Sequence, residues 1–126
     1  MFARNISIHL KPNTLAAFTE TFEKEVVPVL RKQKGFQDEI TFSIPGGADV
    51  IAISLWDNKE NAENYNRTTY PEVLKLLAKV IDGTPNVRIS EVVHSTFHKI
   101  AAGAAPSPVA AGVATAGVAK ASVAVA

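Results

Sequence analysis

Hydrophobic and polar residues alternate from Phe2 to Leu10. Ile6, Ile8 and Leu10 share one side of an extended chain, and Asn5, Ser7 and His9 share the other. This period-two pattern predicts a strand with one face in a core and one polar face. Lys11-Pro12-Asn13-Thr14 reads as a turn, with Asn13 or Thr14 available to cap a helix. Leu15, Phe18, Phe22, Val26 and Val29 or Leu30 then recur at helical spacing. Pro28 lies inside that pattern and is expected to kink the helix or end it near Val27. Gly35, after Arg31, Lys32 and Lys34, supplies a C-terminal stop with cations at the negative end of the helix dipole.

The alternation resumes from Phe36 to Ile44. Phe36, Ile40, Phe42 and Ile44 are assigned to one face, and Gln37, Glu39, Thr41 and Ser43 to the other. Pro45 to Asp49 is a hairpin connection. Val50 to Trp56 is apolar on both faces, which places it centrally in a sheet. Asp57 follows at once as the expected helix cap, and Glu60 completes a capping box. That helix runs from Asn58 to Tyr65 and restarts around Tyr70-Pro71, capped by Thr68 or Thr69, with proline tolerated in its first turn. Val73, Leu74, Leu77, Val80 and Ile81 form its core stripe, Gly83-Thr84-Pro85 ends it, and Val87 to His98 reads as a last long strand. The order β-α-β-β-α-β, with two right-handed crossovers, predicts an α+β, ferredoxin-like domain: a four-stranded antiparallel sheet with both helices on one face.

That domain is assigned to residues 1–100. From Ala101 to Ala126 the chain is rich in Ala, Val, Gly and Pro, with Lys120 as its one charge. This tail reads as disordered, with a weak helix from Val109 docking on a partner subunit as the alternative. It is too weakly apolar to span a membrane. A length of 126 residues suits one domain, and the apolar fraction of 47% is inflated by the tail. Thirteen basic and 12 acidic side chains give a net charge of +1, which argues against a nucleic-acid or anionic-membrane partner. Met1 to Ile6 weakly resembles the first motif of an RNA-recognition domain, but the third strand lacks the aromatic pair that stacks bases. The absence of cysteine excludes disulfides, thiolate metal sites and cysteine catalysis. The N-terminus also lacks the charged start and apolar core of a signal peptide, so a cytoplasmic location is expected.

Helices on one sheet face leave the other open, with a surface of mixed polarity. Such a surface predicts a homodimer in which two sheets pack face to face and close a barrel with room for a small ligand. Asn5, on the open face, either orients a substrate carbonyl or hydroxyl or is satisfied by a strand neighbour. His9 or His94 is a candidate general base. Trp56 is either a plug at the strand–helix junction or a surface on which a substrate stacks. Tyr65 and Tyr70 flank the break between the helical pieces and either hydrogen-bond a substrate or are boundary aromatics. His94 and His98 on one strand would lie roughly 13 Å apart, too far to share an ion, and no metal is expected.

The element order, with Ser54-Leu55-Trp56-Asp57-Asn58-Lys59-Glu60 closing the third strand, resembles the antibiotic biosynthesis monooxygenase family of dimeric α+β barrels. The resemblance covers residues 1–100 and excludes the tail. That family and its relatives include cofactor-free monooxygenases of polycyclic aromatics, haem-degrading enzymes and autoinducer-modifying proteins. The resemblance implies that Trp56 lines a pocket. The monooxygenases' Asn four residues before that Trp falls on Ala52, and their Tyr six residues after it falls on Ala62, so both are lost. In haem-degrading members an Asn on strand one matches Asn5, and their pocket Trp falls near Tyr65. Their haem-ligating His falls near Lys75, which is no iron ligand, so haem is not implied. What is implied is a homodimeric, cofactor-independent monooxygenase acting on an electron-rich aromatic or quinol-type substrate. The alternative is a non-catalytic dimeric barrel that binds a small apolar ligand or serves as an assembly module.

Overall fold

The first and last strands of the domain lie side by side. In the computed structural model, which describes residues 1–100, the elements are β1 (Phe2–His9), α1 (Leu15–Thr21), a π-helical turn (Phe22–Val26), α2 (Val27–Arg31), β2 (Phe36–Ser43), β3 (Asp49–Trp56), α3 (Lys59–Thr68), α4 (Tyr70–Leu77) and β4 (Asn86–Glu91). The expected tail from Ala101 lies outside the described residues. The strand order is β2-β3-β1-β4, and each neighbouring pair is antiparallel. This is the expected α+β, ferredoxin-like topology. These elements form one compact unit, Met1–Glu91, and a second unit begins at Val92. In the described part of the latter, Ser95 Oγ accepts the backbone N–H groups of Phe97 and His98 at 3.0 and 3.1 Å.

The core lies between one sheet face and the helices. Ile8, Val50, Ala52 and Trp56 contribute from the sheet, and Phe18, Phe22, Val26, Leu30, Tyr65, Val73 and Leu77 from the helical side. The opposite face carries Asn5, Ser7 and His9 as read from the sequence, since Asn5 pairs with Ile53 and Ser7 with Ile51. Ile40 and Phe42 join that open face opposite Ile53 and Ile51. Together with Ile44 they stand 44–47% exposed.

Phe36 does not follow them. A register shift between Phe36 and Asp38 places Phe36 opposite Trp56 on the core side. There the two rings meet edge-on at 5.7 Å. A bulge adds a residue to one strand and so reverses the facing of everything beyond it. The polar row Glu39, Thr41 and Ser43 consequently faces the helices, opposite the buried Ser54, Ala52 and Val50.

Other boundaries also differ from expectation. β4 ends at Glu91 rather than His98, because Glu91 pairs with Phe2 and β1 supplies no further partner. Val92, His94 and Thr96 therefore stand outside the strand, and the open face of β4 is formed by Asn86, Arg88 and Ser90. Pro28 does not end the helix. The chain widens into the π-helical turn, in which Val27 N–H reaches Phe22 O, and Pro28 then falls in the first turn of α2, where no N–H is required. The cap of α3 is Asn58 rather than Asp57: Asn58 Oδ1 accepts the N–H of Asn61 at 2.9 Å. Asp57 is committed elsewhere, its N–H donating to Gly35 O at 2.9 Å and its Oδ1 accepting from Asn61 Nδ2 at 2.8 Å. α4 ends at Leu77, and Val80 and Ile81 are buried in the following turn, where Ile81 bridges Leu10.

Gly35 holds this junction together. Its φ is +83°, and a Cβ there would run into Asp57 Oδ1 and the Asn61 side chain. Gly35→Ala is expected to destabilise the protein by more than about 1 kcal/mol, through both the positive φ and the clash. Urea unfolding of the two proteins checks this.

Candidate functional site

Strand alternation aims Arg4 to the same side as Ile6 and Ile8, beneath the break between α3 and α4. It is only 1% exposed. Its Nε and Nη2 donate to Asn66 Oδ1 at 3.0 and 2.8 Å. The guanidinium carbon lies 3.9 Å from the Tyr70 ring centroid and 5.0 Å from that of Tyr65. A desolvated cation over an aromatic face gains on the order of 2 kcal/mol. Removing the cation from water costs several kcal/mol. Burial accordingly pulls Arg4 down from its ordinary value, while the two tyrosines oppose that effect. The side chain still carries its charge at any pH at which the protein is folded.

Tyr65 and Tyr70 extend the stack towards Trp56. The Tyr65 ring lies 5.0 Å from Trp56 and 6.3 Å from Tyr70. Trp56 is wholly buried, and its Nε1–H donates to Ser54 Oγ at 2.9 Å. Burial pushes the Tyr65 hydroxyl up to about 12, with Arg4 acting in the opposite direction. Burial also raises Tyr70, and Arg4 again offsets part of the rise. The Tyr70 hydroxyl is buried without a hydrogen-bond partner. The guanidinium lies over the Tyr70 ring.

Beside Tyr65 and Tyr70 is a void of about 20 Å³, walled also by Arg4, Glu39, Ser54 and aliphatic side chains from both layers, with Trp56 behind Tyr65 and not among its walls. That is room for about one water. A larger cleft of about 410 Å³ opens between α1 and β2, where Leu15, Phe18 and Val27 face Thr41 and Ser43. Phe22 and Glu39 line both spaces and form the partition between them. Burial raises the Glu39 carboxyl, and a hydrogen bond from Thr41 Oγ1 opposes the rise.

Trp56, Tyr65 and Tyr70 are thus brought together as one stack. Asn5 and His9 lie on the other side of the sheet. Asn5 Nδ2 reaches Ser90 Oγ at 3.5 Å, and His9 Nδ1 pairs with Asp49 Oδ1 at 2.9 Å. His94 follows the end of β4 and belongs to the second unit. Among the described residues no set of three or more His, Cys, Asp or Glu side chains could hold a metal ion, and no helix is long and apolar enough to cross a membrane. Arg4, Asn66 and Glu39 were not singled out from the sequence. The available signal for Arg4 was a cation on the apolar side of a strand. Glu39 carried none, because its facing depends on the bulge.

No protein-family model and no curated protein matches the sequence. Solved structures do match in fold. An antibiotic biosynthesis monooxygenase described as putative, from Bordetella bronchiseptica, superposes with a TM-score of 0.62 at 18% identity, covering 74% of this chain and 98% of the other. SnoaB, a cofactor-independent oxygenase from Streptomyces nogalater, gives a TM-score of 0.63 at 10% identity, covering 75% and 95%. A protein of unknown function from Nitrosomonas europaea gives 0.62 at 15%, covering 80% and 94%. The chain therefore has the fold of the antibiotic biosynthesis monooxygenase structures.

Two titrations follow from this geometry. The chain's only two tyrosines are both in the stack. Absorbance at 295 nm is therefore expected to stay flat through the ordinary phenol range near pH 10 and to rise only above it. Because the folded tyrosines hold their protons more tightly than the unfolded ones, stability falls as pH climbs past about 10. His9 is raised by its hydrogen bond to Asp49. Its stabilising contribution is complete below the unfolded histidine value and is lost as pH rises through the raised folded value. Asp49→Asn is expected to move the His9 titration downward, as read by NMR.

Proposed function

We propose that the chain is a cofactor-independent monooxygenase of phenols or related electron-rich aromatics, working in the cytoplasm as a homodimer. The observation that carries this reading is the aromatic stack of Trp56, Tyr65 and Tyr70 beside the void, with Arg4 against it. The fold shared with a cofactor-independent oxygenase supports it by analogy. In such a reaction the substrate supplies its own electrons. A phenol loses its proton, and the ring carbon para to the oxygen exchanges C–H for C=O. One atom of O₂ enters the ring and the other leaves as water, so that phenol and O₂ give quinone and water.

The protein's share is to hold the ring, exclude water and favour the anion. Arg4 supplies positive charge where the phenolate forms. Glu39, whose burial raises its proton affinity, serves as general base. Tyr65 and Tyr70 stay protonated at neutral pH and orient the substrate as donors or through their rings. At rest the void admits about one water, so the substrate enters as Phe22, on the π-helical turn, swings aside and joins the void to the larger cleft. The exposed Ile40, Phe42 and Ile44 supply the apolar centre of the dimer face. Asn5 and His9 lie on that face, inside the closed barrel and apart from the aromatic stack. The small void, with Ala52 and Ala62 buried where the monooxygenases carry Asn and Tyr, favours a second reading: a dimeric barrel that binds a ligand without turning it over.

Oxygen consumption with 1-naphthol separates the two. One equivalent of O₂ taken up per 1,4-naphthoquinone formed is expected, and Glu39→Gln should lower kcat by about 10²-fold or more. Stoichiometric binding without oxygen uptake would establish the second reading instead.

A further inference from the structure

Arg4 is a buried cation with no buried anion beside it. The pairs His9–Asp49, Glu20–Lys24 and Glu72–Lys75 do not involve Arg4. Asn66 Oδ1 occupies the Nε–Nη2 edge of the guanidinium. Neither of these bonds uses Nη1, so the Nη1–Nη2 edge remains, a fork whose spacing matches the two oxygens of a carboxylate. Close by is a second unused donor, the Tyr70 hydroxyl, in a residue 9% exposed. Both residues wall the void, whose remaining lining includes Ile6, Ile8, Val26, Leu30 and Val73. Glu39 is the one carboxyl that shares the space. It makes no ion pair with Arg4, and its burial disfavours the charged form.

A core that needed only packing would be better served by an apolar side chain of Arg's length, since replacing buried charge with hydrophobic volume is commonly neutral or stabilising. We propose that Arg4 and the Tyr70 hydroxyl form the head-group site for a carboxylate, and that the ligand is an aryl carboxylic acid whose ring lies against the Trp56–Tyr65–Tyr70 stack. This names the substrate class of the oxygenase and rests on that reading for the location of the site. The carboxylate takes the free guanidinium fork with one or both oxygens and accepts the Tyr70 O–H. The ring displaces the water-sized void and extends past Phe22.

Calorimetric titration of the full-length protein with 2-naphthoate and with the neutral 2-naphthalenemethanol tests this without any variant. The carboxylate is expected to bind roughly 10- to 100-fold more tightly, the range of charge-assisted hydrogen bonds. Arg4→Met should abolish that preference, and Tyr70→Phe, which removes only a hydroxyl, should reduce it several-fold. Equal binding of the two compounds, binding of neither, or a preference that survives in Arg4→Met overturns the proposal. Oxygen uptake with 1-naphthol and 1-hydroxy-2-naphthoate separates the two readings. A carboxylate preference in binding without uptake on either compound leaves the anion site standing and removes the oxygenase. Uptake on 1-naphthol with no carboxylate preference does the reverse.

Discussion

The guanidinium of Arg4 sits where the sheet, α3 and α4 meet, and each of those elements contributes something to it. β1 supplies the side chain, Asn66 on α3 accepts its two hydrogen bonds, Tyr65 on α3 faces it and Tyr70 opens α4 directly against it. Taking a cation out of water costs several kcal/mol, and neither the amide oxygen nor the ring faces carry a full countercharge. The geometry of the helix break is consequently bound to Arg4. If Tyr70 were displaced, the cation would lose its closest ring, and if α3 shifted it would lose its acceptor, Asn66 Oδ1. The break between α3 and α4, at Thr69, is held from the other side by the Thr69 hydroxyl, which donates to Gln33 at 3.1 Å.

A second set of constraints converges on Trp56. It ends β3, meets Phe36 across the bulge, stacks on Tyr65 and ties its indole N–H to Ser54. Gly35 passes so close to the start of α3 that no side chain fits, and the Asp57 N–H closes the gap. The bulge, the glycine and the Asn58 cap are thus parts of one joint. That joint sets where Tyr65 lies, and through Tyr65 it sets the wall of the void. A residue that looks like a plug is therefore also what positions the chemistry-bearing side chains.

The two faces of the sheet have separate tasks. The helix-facing side holds the charge, the phenols, the half-buried Glu39 carboxyl and the voids. The open side holds Asn5, His9 and a row of aliphatic and aromatic side chains partly exposed to solvent. Fold likeness to oxygenases at 10–18% identity speaks to the arrangement of these layers, whereas activity depends on which groups line the void. Ala52 gives the void an apolar wall, while Arg4, Glu39 and the Tyr70 hydroxyl bring polar chemistry to it.

Much of the architecture was legible in the chain itself. Period-two alternation in β1 and β2, the doubly apolar β3, helical spacing in α1 and α4, the glycine at position 35 and the tryptophan before a cap are local signals, and they led to the order of elements, the ferredoxin-like sheet and the place of Trp56 at the strand–helix junction. What the sequence could not determine depends on partners distant along the chain. β4 stops at Glu91 because β1 begins at Phe2, not because the apolar run ends there. Glu39 faces the helices because a bulge two or three residues earlier reverses the strand, and a single alternation pattern does not show such a slip. Arg4 looks like an ordinary strand-end cation until the helices close over it. Its significance lies in the absence of a countercharge, and only the packed structure determines what stands beside a buried charge.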